Sequence, residues 1–204
     1  MSANKELGAV VNEKWAPGNP TPLGLCAFGV TTVFLSLVNA NLISGNDTPA
    51  VLAVALFMGG LAQFAAGMWE FSTGNTLGAV IFSAYGAFWL TFWYLVQDQV
   101  GGIAKLGAVY ADSAVGAYLW CWAGFTFLIL ICTFSGPRAV TGVFVLLTTT
   151  FLLLGIGNAG GTSGVIHAGG YVGLATGAGA LYIAVSIIMQ DVYGREVLPI
   201  WAPK

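Results

Sequence analysis

The chain has 204 residues, of which 57% are hydrophobic and only 7% are charged. Soluble domains of average composition carry about 25% charged residues, so this sequence lacks the polar exterior that a water-soluble globule needs. It also contains 29 glycines, and small residues are abundant where helices pack closely in lipid. The composition excludes an ordinary soluble protein and predicts a membrane protein.

Six uncharged apolar stretches, each of about 20 to 25 residues, are long enough to cross the hydrocarbon core as helices. They are residues 23–42, 50–69, 76–96, 115–134, 139–157 and 165–189. Strands of a membrane barrel would instead show alternating segments of about 10 residues. The sequence therefore predicts an all-α membrane protein whose six transmembrane helices form one domain, residues 19–200.

The positive charges are distributed unequally between the two ends of the predicted helices. Only Lys105 falls on one side, whereas the other side receives Lys5, Lys14, Arg138, Arg195 and Lys204. The positive-inside rule then places both termini in the cytoplasm. Residues 1–18 contain no apolar segment of the kind found in signal peptides. We expect them to form a polar cytoplasmic tail, and residues 201–204 to form a short C-terminal tail.

Small residues recur every four positions on two predicted helices. They are Gly169, Gly173 and Gly177 on the sixth, and Ala55 with Gly59 and Ala62 with Ala66 on the second. This interval lets helix backbones approach closely in lipid. It indicates either packing within the bundle or a tight interface between subunits.

Uncharged polar side chains inside the predicted helices must find a partner or water. On the first helix, polar and aromatic residues share one face within about 80°: Phe28, Thr32, Ser36 and Asn39. The other helices contribute Gln63, Ser83, Tyr85, Thr91, Thr148, Thr149, Thr150, His167, Tyr171, Thr176 and Tyr182. Such a lining suits a small polar or anionic solute better than a metal cation, which needs acidic ligands.

Several cofactor and enzyme classes do not fit the sequence. His167 is the single histidine of the chain, and a haem bundle of the cytochrome b kind needs paired axial histidines. The predicted helices contain no lysine that could form a Schiff base with retinal. The sequence has no run of basic residues that would indicate nucleic acid binding. We expect no cofactor, no bound metal, no nucleic acid partner and no enzymatic activity.

A seven-residue run directly before the first predicted helix closely resembles the signature of the acetate uptake transporter family. It consists of Asn19, Pro20, Thr21, Pro22, Leu23, Gly24 and Leu25. Further segments resemble the family in the same order along the chain, at Glu70 and at residues 59–63, 74–76, 83–89, 156–158 and 193–200. That family includes the bacterial succinate/acetate permeases and the yeast acetate transporters.

The resemblance implies a homohexamer of six-helix protomers, each with its own path for acetate, related short monocarboxylates or succinate. It also implies a narrow constriction at Phe28, Tyr85 and Leu147, and a small residue that influences substrate size at Ala180. The first, third and fifth helices run in the same direction. At ~1.5 Å per residue, the three constriction residues lie within roughly 6 Å in depth, near enough for one ring.

Hydrogen-bond donors near this ring complete the predicted path. The polar lining is predicted to include Thr32, Asn39, Gln63, Asn75, Thr76, Thr148 and Asn158. The start of the third helix, at Asn75 and Thr76, also offers backbone amides that favour an anion. The alternative role of these residues is helix capping and hydrogen bonding between helices.

Two departures from the family pattern leave the transport mechanism open. Thr21 stands where alanine is common, and Val38 stands where some members carry a histidine. Proton coupling would then depend on Glu70, Glu196 or His167, which we expect near helix ends, where charged groups are usually solvated. Both passive conduction and proton symport remain possible for acetate. The competing hypotheses are a channel for small neutral solutes such as urea or amides, and a sensor or scaffold that binds acetate without transporting it.

Overall fold

The computed structural model describes residues 17–97 and 108–203, for residues 108–112 the backbone alone. All regular structure in these ranges is helical. The six helices are α1 Thr21–Asn39, α2 Gly45–Thr73, α3 Thr76–Val96, α4 Ala108–Cys132, α5 Arg138–Ala159 and α6 Ser163–Tyr193. Each contains an apolar stretch long enough to cross a membrane. The predicted all-α class with six transmembrane helices is confirmed.

The residues at the helix ends explain most of the observed boundaries. Pro22 lies in the first turn of α1, where a missing N–H costs nothing. The chain leaves α1 through Asn41, which has a φ of 58°. Gly74 ends α2 with a φ of 76° and Gly194 ends α6 with a φ of 67°, the left-handed conformation in which glycine meets no steric penalty. The third predicted helix, residues 76–96, coincides with α3.

Helix α2 is built from four consecutive segments. A 3-10 turn at Gly45–Asp47 leads into an α-helical part at Thr48–Val54, a π-helical part at Ala55–Ala62 and a final α-helical part at Gln63–Thr73. The apolar pattern predicts neither the π segment nor the last turn, which carries Glu70 into the helix. π segments are rare and are often found at functional sites.

The glycine stripe of α6 packs against α1 and α5 of the same chain. A Cβ added at Gly177 would lie 2.7 Å from Cγ2 of Val33, and one at Gly169 would lie 2.8 Å from Cδ2 of Leu154. Gly173 is in equally close contact with Ser36. The neighbouring helices can approach α6 this closely only because these three positions are glycine and carry no side chain. Of the two interpretations of the stripe, packing within the bundle is therefore the one that the structure shows.

A C-terminal segment, residues 197–201, closes the start of α5. The N–H groups of Arg138 and Ala139 donate to the carbonyl oxygens of Trp201 and Ile200 at 3.1 and 3.2 Å. First-turn N–H groups have no partner within their own helix, so this segment satisfies two of them. Two hydroxyl groups of α6 donate to the same segment, Tyr182 to Pro199 O and Ser186 to Leu198 O. The predicted C-terminal tail thus begins with a residue that is bonded to α5, whereas the predicted N-terminal tail lies almost wholly outside the described residues.

Candidate functional site

Two cavities follow each other along the axis of the bundle and meet at Phe28 and Leu147, which line both. The larger, of about 230 Å³, is lined mainly by the C-terminal halves of α1, α3 and α5. The smaller, of about 30 Å³, is lined mainly by their N-terminal halves and by Gln63 of α2. The parallel direction of these three helices therefore places the two cavities at different depths.

The three residues of the implied constriction come together between the cavities. The ring centroids of Phe28 and Tyr85 are 5.9 Å apart, and Leu147 joins both of them in the wall of the smaller cavity. All three side chains are buried. The smaller cavity has room for about one water molecule. Aromatic and aliphatic side chains from α1, α3 and α5 thus form a narrow apolar ring.

Tyr85 is also held by α4, from which the sequence analysis selected no residue. Its ring lies 5.8 Å from the rings of Trp122 and Phe125. Its hydroxyl forms a hydrogen bond of 2.7 Å with Oγ1 of Thr126. The sequence does show that Thr126 lies within the fourth apolar stretch. Helical periodicity, however, does not reveal that this threonine meets Tyr85.

The larger cavity contains three of the predicted polar residues, Thr32, Asn39 and Asn158. Asn158 donates to the carbonyl oxygen of Leu154 at 2.7 Å. In contrast, Oγ1 of Thr32 is buried without a hydrogen-bond partner in the described chain, and so is Nε1 of Trp89 in the same wall. Trp89 was noted only as part of a family-like segment. Ser36, Thr48 and Thr150 add further hydroxyl groups.

Gln63 is the predicted polar residue of the smaller cavity. It is the first residue after the π segment of α2 and is completely buried. Neither its Nε2 nor its Oε1 has a hydrogen-bond partner within the described residues. A buried amide left without partners costs free energy, and nearly all such groups in proteins bind a partner or ordered water. Gln63 is therefore a buried amide in the wall of the smaller cavity whose hydrogen-bonding groups are unsatisfied within the described residues.

Seven residues that were predicted for the polar lining, size selection or proton coupling lie outside the described walls of both cavities: Glu70, Asn75, Thr76, Thr148, His167, Ala180 and Glu196. Thr148 lies next to Leu147, but its hydroxyl donates to the carbonyl oxygen of Phe144 on its own helix at 2.8 Å. Ala180 is completely buried among the side chains that pack α6. His167 is half-buried near the start of α6, and Glu196 is exposed beyond its end.

The start of α3 is occupied by a carboxylate of the chain itself. Glu70 is only 1% exposed, although we expected a solvated group. Nδ2 of Asn75 donates to it at 2.8 Å and Oγ1 of Thr21 at 2.5 Å, while Oδ1 of Asn75 caps the N–H of Gly78 at 3.1 Å. Asn75 and Thr76 are otherwise exposed. Glu70 therefore joins the starts of α1 and α3 to the end of α2.

The signature run has a clear structural role. Oδ1 of Asn19 accepts the N–H of Thr21 at 3.0 Å and so fixes the start of α1. A Cβ at Gly24 would lie 2.6 Å from the ring of Phe82, so α1 and α3 approach closely only because this residue is glycine. Leu25 reaches the wall of the smaller cavity. The run positions α1 beside the smaller cavity.

The profile of the GPR1/FUN34/yaaH family matches residues 3–196. The chain belongs to this family. It is 41% identical over 184 residues to the succinate-acetate/proton symporter SatP of Escherichia coli K12, covering 89% of this chain and 94% of that protein. It is 38% identical over 176 residues to ammonia transport outward protein 2 of Saccharomyces cerevisiae, covering 82% of this chain and 62% of the yeast protein.

A solved structure extends this similarity to three dimensions. The bacterial acetate channel SatP matches the present fold with a TM-score of 0.81 at 39% identity, covering 90% of this chain and 99% of that one. Membership of the GPR1/FUN34/yaaH family confirms the resemblance drawn from the signature run and the later segments. Together with the six apolar helices, it identifies a multi-pass membrane protein.

Proposed function

We propose that the protein transports acetate and related short carboxylates across the cell membrane, through a path inside each protomer. The observation that carries the proposal is an apolar ring with, on both sides, buried polar groups that have no hydrogen-bond partner among the described residues. Gln63 lies on one side, and Thr32 and Trp89 lie on the other. The names of the relatives, a succinate-acetate/proton symporter and an acetate channel, support the same substrate class.

The chemistry of acetate matches this arrangement. A hydrophobic constriction opposes the passage of water and hydrated ions. The methyl group of acetate can contact Phe28, Tyr85 and Leu147 while its carboxylate bonds to a donor before and after the ring. The amide of Gln63, the hydroxyl of Thr32 and the indole N–H of Trp89 are such donors. Selection then depends on a solute with one apolar and one anionic end.

The polar groups without partners also contribute to the free energy of passage. Leaving a buried donor unsatisfied costs about 1–3 kcal/mol, and a passing carboxylate removes part of that cost. Succinate carries two carboxylates that must both lose water at the same ring, and the desolvation of each charge is unfavourable. We therefore propose acetate as the faster substrate and succinate as a slower one.

The positions of the acidic and basic groups favour channel-like conduction over obligatory proton coupling. Glu70 and His167, the candidates within the helices, lie outside the described walls of both cavities. Glu70 is further engaged by hydrogen bonds from Thr21 and Asn75. A proton-coupling group must meet the solute path to change its protonation during transport.

We also propose that six protomers assemble into a homohexamer in the membrane with both termini in the cytoplasm. The hexameric assembly is proposed because of the family resemblance. The orientation of the protomer is proposed because Lys and Arg are in excess on one side of the helices.

Uptake of labelled acetate into liposomes containing the purified protein tests the proposal. We expect flux above that of empty vesicles, inhibition by propionate, and no inhibition by urea. Flux that persists without a pH gradient supports conduction, whereas flux that requires an inward proton gradient supports symport.

Three results would contradict the proposal. Absence of flux from correctly inserted protein would reject transport of acetate. Competition by urea but not propionate would favour a channel for neutral solutes, a hypothesis that the uncharged lining also supports. Saturable acetate binding without flux would favour a sensor or scaffold.

A further inference from the structure

Hydroxyl groups link α3 to α4 at the level of the constriction. The link consists of Tyr85 Oη and Thr126 Oγ1 at 2.7 Å, and both residues are buried. Farther along, Thr91 and Tyr118 form a similar pair at 2.7 Å. Aromatic side chains fill the space between the two helices around these pairs. The first pair is notable because one of its members belongs to the apolar ring.

The direction of the Tyr85 hydrogen bond follows from the other bond of Thr126. Its Oγ1 lies 2.7 Å from the carbonyl oxygen of Trp122 and donates to it. A threonine hydroxyl has a single hydrogen, so Tyr85 is the donor and Thr126 the acceptor. The tyrosine hydroxyl is thereby turned toward α4, and the ring of Tyr85 presents carbon atoms to Phe28 and Leu147.

We propose that Thr126 is a positioning residue for size selection, which sets the width of the constriction by holding the ring of Tyr85. The inference rests on the proposed function, because it assigns α4 a role in the selectivity of the same path. The ring is one wall of a cavity of only about 30 Å³, so a modest rotation changes the space available to a solute.

Loss of this hydrogen bond leaves a buried phenol hydroxyl in need of another partner. Gln63 lines the same small cavity, and its amide oxygen has no partner in the part of the chain that the structure describes. In Thr126→Val, a released Tyr85 can therefore turn toward the path and bond to Gln63 or to water, whereas in Tyr85→Phe the ring is free to rotate because it has no hydroxyl that holds it to α4. The constriction would then be wider in some orientations and no longer wholly apolar, which weakens discrimination against longer monocarboxylates.

Flux ratios test this role more specifically than total flux. We would measure propionate flux relative to acetate flux in liposomes for wild type, Thr126→Val, Tyr85→Phe, the double variant and Thr126→Ser. Thr126→Val keeps the shape of the side chain and removes the acceptor, whereas Tyr85→Phe removes the donor and leaves α4 unchanged. Thr133→Val is the matched control, because Thr133 is a buried residue directly after α4 whose hydroxyl donates to the carbonyl oxygen of Leu130, near the end of that helix.

We expect Thr126→Val and Tyr85→Phe to raise the ratio by about fivefold each, the effect of one lost hydrogen bond. The double variant should show no further increase, since both changes break the same bond. Thr126→Ser should restore the wild-type ratio, and Thr133→Val should leave it unchanged.

A conducting wild type with an unchanged ratio in Thr126→Val would overturn the assignment while leaving the proposed function intact. Additive effects in the double variant, or an equal shift in Thr133→Val, would also overturn it. If Thr126→Val does not fold, an unchanged ratio of propionate to acetate flux in Tyr85→Phe would overturn the assignment instead. Absence of acetate flux in wild type would reject the proposed function and this role together.

Discussion

The two cavities that meet at Phe28 and Leu147 differ in both size and chemistry. The larger, of about 230 Å³, receives hydroxyl and amide groups from α1, α2 and α5. The smaller, of about 30 Å³, has a wholly apolar surface, although Gln63 and Tyr85 belong to its wall, and the hydroxyl of Tyr85 is bonded to α4. A carboxylate in the larger cavity can keep water and exchange partners. In the smaller cavity it fills the space, and Gln63 is the wall residue whose amide has no partner among the described residues.

This difference suggests a division between capture and selection. Several interchangeable donors in a roomy cavity make any one of them dispensable, because water can replace it. A single donor beside a tight ring cannot be replaced in that way. We therefore expect substitutions around the smaller cavity to have larger effects on transport than substitutions around the larger one.

The largest effect is expected from Gln63→Leu. The change keeps a similar volume but removes the available donor, and a hydrogen bond to a charged group is worth about 1.5–3 kcal/mol. Acetate flux should fall by about tenfold or more. Because the replaced amide has no partner in the described chain, the melting temperature should not fall. Ser83→Ala is the control, since the hydroxyl of Ser83 is also buried without a partner among the described residues, but Ser83 lies outside the described walls of both cavities. Wild-type flux in Gln63→Leu would remove the proposed distinction between the cavities.

Leu147→Ala should remove part of the barrier between the cavities. The loss of side-chain volume from the ring is expected to raise butyrate flux relative to acetate by about fivefold, at a stability cost of about 2–5 kcal/mol. Tyr85→Ala should act in the same direction. Leu152→Ala on the exposed face of α5 is the control for changes in that helix. An unchanged size preference in both ring variants would mean that these side chains do not form the filter.

Thr32→Val probes the larger cavity and should have a smaller effect. It removes one donor while Asn39, Asn158 and water remain, so acetate flux should fall by about twofold, equivalent to a few tenths of a kcal/mol. The neighbouring Thr31→Val is the control, because the hydroxyl of Thr31 donates to the carbonyl oxygen of Ala27. Initial uptake rates at several acetate concentrations would detect the difference. A loss as large as that of Gln63→Leu would place selection in both cavities.

The smallest effect on transport is expected from Thr21→Ala, which lies outside both cavities. It removes one hydrogen bond to the buried Glu70 and should lower the free energy of unfolding by about 1 kcal/mol. Flux and size preference should remain those of wild type. Denaturant unfolding in detergent micelles measures the first quantity, with Thr21→Ser as the variant that keeps the hydroxyl. Altered size preference would connect the helix-end network to the path.

Features that depend on helix length and direction could be predicted from the sequence. Charge-free stretches determine where helices cross a membrane, so the six helices and the limits of α3 were expected. The rise per residue gives the depth of a residue on each of several parallel helices, so it predicted that Phe28 and Tyr85 lie at a similar depth. Their ring centroids are indeed 5.9 Å apart. The small-residue interval indicated close packing without revealing which helices were involved.

Features that depend on helix rotation and on distant neighbours could not be predicted. Thr148 and Thr150 both donate to carbonyl oxygens of their own helix, but only Thr150 lines the larger cavity. The partner of Tyr85 lies on α4, 41 positions away in the sequence. The burial of Glu70 depends on Thr21 and Asn75 from two other helix starts. Each of these contacts depends on how the helices are rotated and which of them are neighbours. The pattern of apolar residues along the sequence does not contain that information.

The π-helical stretch of α2 has a consequence for changes in chain length. Each i→i+5 bond encloses one more residue than an α-helical turn, and successive residues of an α-helix differ by about 100° in direction. Deleting one residue within Ala55–Ala62 would let the stretch relax into α geometry while the parts before and after it keep their faces. An added residue would find no such relief and would turn the side chain at position 63 toward a neighbouring helix or toward lipid. Natural length variation in this stretch should therefore consist of losses rather than gains.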